Sequence, residues 1–372
     1  MIRERSKVAS LSRRTALIGA ALGLALALEA CGGGSGAPTR SSGAKPTGPF
    51  RWKLVSHESP GYSSVVCGEF GMCFIQSQSS RMPGVLPGPR FPSQTVGYRV
   101  SCGSPDNCVA VDSEGEAAIF DGKGWSGSTQ ALAIYSFSGA CASSPNTGCV
   151  PTVSCPTRSW CVAALNDGNN AVWSNRQWNG QALIGASPFY TDETLKAPIG
   201  CWAAGSCYTS DGQFVYKLER SAWSQANVGV PFAGSSSNPT DYVQQIVCTS
   251  KPLCMLADNQ GEVSIAGPHG SIAPQQQLYS SPPDPAGYVN SPAIACSGTD
   301  NCFALGADGS FHRWTGSKWI TDKAKISSQI PGGASFDVAL SCASASSCIA
   351  VLTPDSRASE TISGQYVFSG SR

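Results

Sequence analysis

The stretch Val100-Ser101-Cys102-Gly103-Ser104-Pro105-Asp106-Asn107-Cys108-Val109-Ala110-Val111 runs from an apolar approach into a cysteine, through five small or polar residues, to a second cysteine that opens an apolar run. The same design returns between Ile294-Ala295-Cys296 and Cys302-Phe303-Ala304-Leu305. Seven copies occur: Cys67 with Cys73, Cys102 with Cys108, Cys155 with Cys161, Cys201 with Cys207, Cys248 with Cys254, Cys296 with Cys302 and Cys342 with Cys348. From Cys102 onward the first cysteines follow one another at 53, 46, 47, 48 and 46 residues, the length of a four-stranded blade and its connection. A repeat of that size cannot bury its own apolar faces, and radial stacking that closes on itself leaves the fewest unpaired edges. The sequence therefore predicts an all-β fold: a β-propeller of seven blades with four strands each. The alternative is six blades, because the unit from Cys67 to Cys102 spans only 35 residues and carries Pro83, Pro87, Pro89 and Pro92 where strands are expected.

Each unit reads as an inner strand ending at the first cysteine, a second strand from the second cysteine, a turn, a third strand and an outer strand. The turns are Asp167-Gly168, Asp211-Gly212, Asn259-Gln260-Gly261 and Asp308-Gly309, residues that tolerate the positive φ of tight hairpins. Trp125, Trp178 and Trp319 each stand seventeen residues after their second cysteine, and Trp223 sixteen, which marks a structural slot between blades. The chain ends at Gly364-Gln365-Tyr366-Val367-Phe368, a match to the third strand Gly212-Gln213-Phe214-Val215-Tyr216. The missing outer strand is available at Arg51-Trp52-Lys53-Leu54-Val55, so the two ends of residues 50–372 are expected to share the last blade.

Seventeen cysteines leave Cys31 over once the seven pairs are made and Cys141 and Cys149 are joined as a further candidate pair, stapling a small insertion in the long 53-residue unit. The C-x5-C spacing is not that of a zinc knuckle, and His57, His269 and His312 are too few and scattered to complete one. Disulfides in an oxidising compartment are expected, with no metal and no cofactor.

Residues 1–30 read as a targeting segment: Arg3, Arg5, Lys7, Arg13 and Arg14 precede an apolar run from Ala16 to Leu28, which is too short to span a bilayer. Ser12-Arg13-Arg14-Thr15-Ala16-Leu17 resembles a twin-arginine signal, with Ala16 where Phe is usual; export through the general pathway stays open. Leu28-Glu29-Ala30-Cys31 resembles a bacterial lipobox, which implies cleavage before Cys31 and its lipidation; Glu29 departs from the pattern, and cleavage after Ala27 is the alternative. Residues 31–49 are rich in Gly, Ser, Pro and Thr, as in a flexible tether. The chain as a whole resembles exported, lipid-anchored β-propellers with disulfide-stapled repeats, of the actinobacterial type found in high-GC Gram-positive bacteria. That resemblance implies a place on the outer side of the cytoplasmic membrane.

Beyond residue 30, 20 basic side chains face 22 acidic ones, without the basic excess of a nucleic-acid binder and without a polybasic membrane patch, so membrane contact is expected through the lipid anchor only. The long connections 131–150, 183–196, 229–243, 275–290 and 325–337 carry Tyr135, Phe137, Phe189, Tyr190, Phe232, Tyr242, Tyr279 and Tyr288. Exposed aromatics on loops held by a rigid scaffold are common anchors for proteins and sugars, so these eight are the candidate binding residues, though several would equally serve to plug the ring. The Asp-Gly turns look like the Asp-box hairpins of sialidase-type propellers, but only Arg99 is placed on an inner strand where sialidases need an arginine cluster. No nucleophile elbow, zinc-protease motif or phosphate loop is present. The expected function is a non-catalytic cell-surface binding or scaffold protein engaging an envelope protein or cell-wall glycan; the alternative is a propeller glycan hydrolase.

Overall fold

Paired cysteines six residues apart sit opposite each other when the strands they end form a hairpin, and this pairing organises every sheet. The computed structural model describes residues 49–58, 65–75, 85–90, 98–112, 115–130, 152–164, 169–182, 198–210, 215–219, 222–226, 243–249, 251–269, 271–279, 292–298, 301–322, 325–330, 336–354 and 365–372. They form seven sheets, six of four strands and one of three. The blades span 65–87, 98–130, 152–182, 199–225, 243–277, 293–321 and 336–371, the last completed by Arg51–Glu58.

In blades 2–6 the strands run antiparallel in chain order from the centre outward, and blade 7 follows the same order with Arg51–Glu58 as its outer strand. The second strands are buried on both faces: Val109, Ala110, Val111, Val162, Ala163 and Ala164 are all 0% exposed. That is why they read as unbroken apolar runs and not as alternation. Their many alanines let neighbouring blades approach closely.

All seven pairs of the repeat form disulfides between the first two strands of a blade. The eighth expected bridge, between Cys141 and Cys149, is not among them: Cys141 and Cys149 both lie outside the described residues, in the connection between the second and third blades. The register extends each repeat disulfide into a row across the sheet. Cys108 pairs with Phe120, Cys161 with Trp173, Cys207 with Leu218, Cys254 with Ala266 and Cys348 with Gly370. One strand further out come Trp125, Trp178, Trp223, Ile272 and Trp52. The fixed spacing of the tryptophans is therefore the walk out along one strand and back to the same row. Each ring closes a seam between two blades; Trp223, for example, packs against Val162 of blade 3 and Leu218 of blade 4. In blade 5 Ile272 takes the slot, and Trp202 from the blade 4 cysteine hairpin joins the same cluster. The indole N–H groups of Trp52, Trp178, Trp314 and Trp319 are buried without an acceptor, so these rings serve packing.

The ring closes as the sequence predicts. Arg51–Glu58 pairs along Gln365–Ser371, with Trp52 opposite Gly370. A Cβ on Gly370 would stand 2.7 Å from the Trp52 ring, so only glycine admits the indole there. Phe50, 2% exposed, inserts into blade 6 with ring centroids 5.3 Å from Phe303 and 5.1 Å from Phe311.

Blade 1 departs from the four-strand expectation. It has three strands among the described residues, and its third, Leu86–Pro87, pairs in parallel with Cys73–Ile75. Pro87 has no N–H to offer a ladder, but its carbonyl accepts the Trp125 indole N–H of blade 2 at 2.9 Å. The outer strand of blade 5 also runs on to Gln277, into the stretch 275–290 read as a connection, because Leu278 N–H still bonds Gly261.

Candidate binding surface

The inner strands meet around the axis, and adjacent blades are joined there by side chains bonding backbone. Ser101 Oγ accepts the Cys155 N–H of blade 3 at 2.9 Å, and Ser154 Oγ accepts the Cys201 N–H of blade 4 at 3.0 Å. The serine before a first cysteine is thus the clasp to the next blade. Blade 4 has Gly200 in that position, lying so near Ile246 that a Cβ would stand 2.7 Å from its side chain. Gln245 of blade 5 clasps Ile294 of blade 6 through both amide atoms. Blade 1 uses its cysteine hairpin: the Glu69 carboxylate accepts the Ser101 hydroxyl at 2.9 Å and the Cys102 N–H. Burial, outweighing these bonds, holds the Glu69 carboxyl above the ordinary carboxylate range.

Charge on the inner strands is sparse. Among the described residues they carry one cation, Arg99, and one carboxylate, Asp337. Burial lowers the Arg99 pKa, and the negative charge of Asp337 opposes that shift. Neither the arginine cluster of a sialidase-like centre nor the carboxylate pair of an acid–base glycosidase occurs there among the described residues.

The one chain of hydrogen bonds with catalytic residue types, among the described residues, is in blade 6. His312, 1% exposed, has Nε2 2.8 Å from Ser310 Oγ and Nδ1 3.1 Å from Thr321 Oγ1. The Ser310 hydroxyl donates its hydrogen bond to Asp308, so His312 Nε2–H donates to Ser310 and Nδ1 accepts from Thr321. This order is the reverse of nucleophile activation, in which histidine takes the serine proton. Lys325 completes the chain 2.7 Å from Asp308. Burial pushes the Asp308 carboxyl up, but bonds from Lys325 and Ser310 hold it below its ordinary value.

Burial lowers the His312 pKa from 6.5 to about 4. A histidine kept neutral by folding contributes stability that is complete above its unfolded pKa and is lost as pH falls through the folded one. A fall of that size corresponds to about 3 kcal/mol. Urea unfolding near pH 7 and near pH 4 is expected to show that loss in the parent, and a correspondingly smaller one in His312→Gln. An equal loss in both would assign the acid sensitivity elsewhere.

Of the eight aromatic candidates, Tyr135, Phe137, Phe189, Tyr190, Phe232, Tyr242 and Tyr288 lie outside the described residues. Tyr279 is described and is no exposed anchor. At 6% exposure it packs over Gly261 of blade 5 and Gly306 of blade 6, where a Cβ would stand 3.0 Å and 2.8 Å from its ring. Its phenol bonds the Ala307 backbone, and burial raises its pKa. The reason is the continued blade 5 strand, which delivers Tyr279 onto the seam between two Asp turns.

The sequence reading passed over Phe70, at the tip of the first cysteine hairpin. It is 41% exposed and holds φ at 59°, a left-handed conformation that bulky residues rarely adopt. Its neighbours fix it: Glu69 is clasped to blade 2, and a Cβ on Gly71 would stand 2.8 Å from Ala343 of blade 7. Only the phase of the residue within its hairpin could have signalled it, and that is invisible without the backbone.

The molecule is thus a closed, disulfide-stapled seven-bladed β-propeller. No family model and no curated protein matches its sequence. Among solved structures it is similar to YCF48 bound to a D1 peptide, with a TM-score of 0.51 at 12% identity over 88% of this chain and 98% of that one. It is also similar to YCF48 from Cyanidioschyzon merolae, with a TM-score of 0.48 at 14% identity over 86% and 98% of the two chains. At such identities the likeness is one of fold.

Proposed function

We propose that this chain is a non-catalytic binding propeller, tethered by a lipid on Cys31 to the outer side of the cytoplasmic membrane, whose blade-connecting loops engage an envelope protein. The observation that carries the reading is the rim of the ring, where the inner strands carry one cation, Arg99, and one carboxylate, Asp337, among the described residues and the histidine chain of blade 6 is buried and satisfied. A surface of this kind can present loops but holds no convergent acid, base or nucleophile among the described residues. A protein partner is favoured over wall polysaccharide because a propeller of this fold, YCF48, has been solved with a peptide bound. The signal-like residues 1–30 and the tether 31–49 agree with display outside the cell.

The test is photo-cross-linking of the full chain in intact cells from positions 189 and 190, beside co-sedimentation of residues 45–372 with purified wall polysaccharide. A discrete protein adduct with no sedimentation supports the reading. Saturable sedimentation abolished by Phe189→Ala with Tyr190→Ala would replace the protein with a glycan, and turnover of that glycan would replace the whole reading by the hydrolase.

A further inference from the structure

The two edges of the blades differ in charge. On the edge holding the cysteine hairpins, the hairpins, the third-to-outer turns and the start of the closing strand place Arg51, Lys123, Arg158, Arg176, Lys251 and Lys318, all exposed. Arg372 ends the chain there, its N–H bonded to Ser346 of the blade 7 hairpin. Against them, among the described residues, stand Asp106, which pairs with Arg158 at 3.1 Å, Asp121, Glu219 and Glu69, and the Glu69 carboxylate is turned inward onto blade 2. The opposite edge is acidic: among the described residues its hairpins present Glu116, Glu262 and Asp308, with Asp112 and Asp258 buried beneath them. Among the described residues the cations on that side are Arg90, Arg99 and Lys325, and Lys325 pairs with Asp308 at 2.7 Å.

Two further features share the basic edge. The rigidly held, exposed Phe70 projects from it. The closing strand also starts there, with Arg51 opposite Ser371. A basic surface with a projecting aromatic side chain matches the chemistry of a phospholipid interface, where cations meet phosphates and a ring enters the acyl boundary.

We propose that the cysteine-hairpin edge of the ring lies against an anionic lipid bilayer, with Phe70 inserted and Lys123, Lys251 and Lys318 over the headgroups. The acidic edge with its long connections then points away from the membrane. This deepens the tethered-propeller reading, yet the surface acts without the acyl chain.

The test uses residues 45–372, a compact unit whose ring is closed by its own first and last strands. It is sedimented with vesicles of phosphatidylcholine alone and of phosphatidylcholine with an equal share of phosphatidylglycerol. Binding to the mixed vesicles only, weakening with salt, is the expected result. Lys123→Glu with Lys251→Glu and Lys318→Glu is expected to weaken it by at least about tenfold. Phe70→Asn is expected to weaken it several-fold while leaving the melting temperature unchanged or raised, because asparagine accepts the left-handed backbone. No binding, equal binding to neutral vesicles, or binding indifferent to the charge reversals would overturn the proposal. The acyl tether is read separately, by mass spectrometry of the full chain from cells and from its Cys31→Ala variant, so either idea can fail alone.

Discussion

Refolding the chain in reductant is expected to lower its stability by roughly 10 kcal/mol and its melting temperature by about 15 °C, while its β-sheet signal at 25 °C persists. Each of the seven disulfides closes a loop of seven residues, and the loop-entropy estimate assigns about 2 kcal/mol to each. The sum is reduced because neighbouring blades share cores and their effects do not simply add. Sheet structure persists because the cysteines already face each other in register, and the row continues through paired residues to the outer-strand tryptophans. Circular dichroism and calorimetry of the reduced, alkylated protein decide the matter. A chain without sheet at room temperature would mean that the bridges, and not the blade seams, carry the fold.

The second large effect belongs to the closing strand. Phe50→Ala is expected to cost about 3–5 kcal/mol, the range for emptying a buried aromatic site. Phe50 meets Phe303, Phe311 and Trp52, and the Arg372 guanidinium lies 4.5 Å above its ring. Its loss opens a cavity where the first and last strands of the ring meet blade 6. Leu54→Ala on the same strand is the control; Leu54 is 37% exposed, and a change within about 1 kcal/mol is expected there. Equal effects of the two substitutions in urea titrations would show that the strand is held by its ladder alone and not by its aromatic insertion.

Architecture was legible in this sequence because the repeat writes the same physical constraint several times. Cys102 to Cys108 and then Trp125 trace one row of one sheet, and the closing role of Trp52 followed from an unfinished last blade. The pairing of Cys141 with Cys149 had no such support, since that spacing occurs once and falls outside the strands that set the other seven. Irregular backbone was not legible. Nothing in Leu86-Pro87 announces a parallel third strand, and Tyr279 looks like any loop aromatic until the blade 5 strand carries it onto Gly261 and Gly306. The clasps were half visible. Ser101 and Ser154 repeat before their cysteines, but a serine in a strand signals no partner until the neighbouring blade is placed beside it. Phe70 and the charge asymmetry depend on which ends of many strands share an edge, a property of the assembled ring that no local window contains.

The closing strand also sets the order of events in folding. Phe50 reaches Asp322, 272 positions later, and Arg51–Glu58 has no partner until Gln365–Ser371 exists. The first strand made is therefore the last to pair, and six blades can assemble while the seam between the final two stays open. Such a distant contact carries a high loop-closure cost and comes late. A chain that stops short of Gln365–Ser371 leaves Arg51–Glu58 without its partner, and the circle stays open. Truncated products keep an unpaired edge and exposed aromatic rings, the features that chaperones and proteases act on.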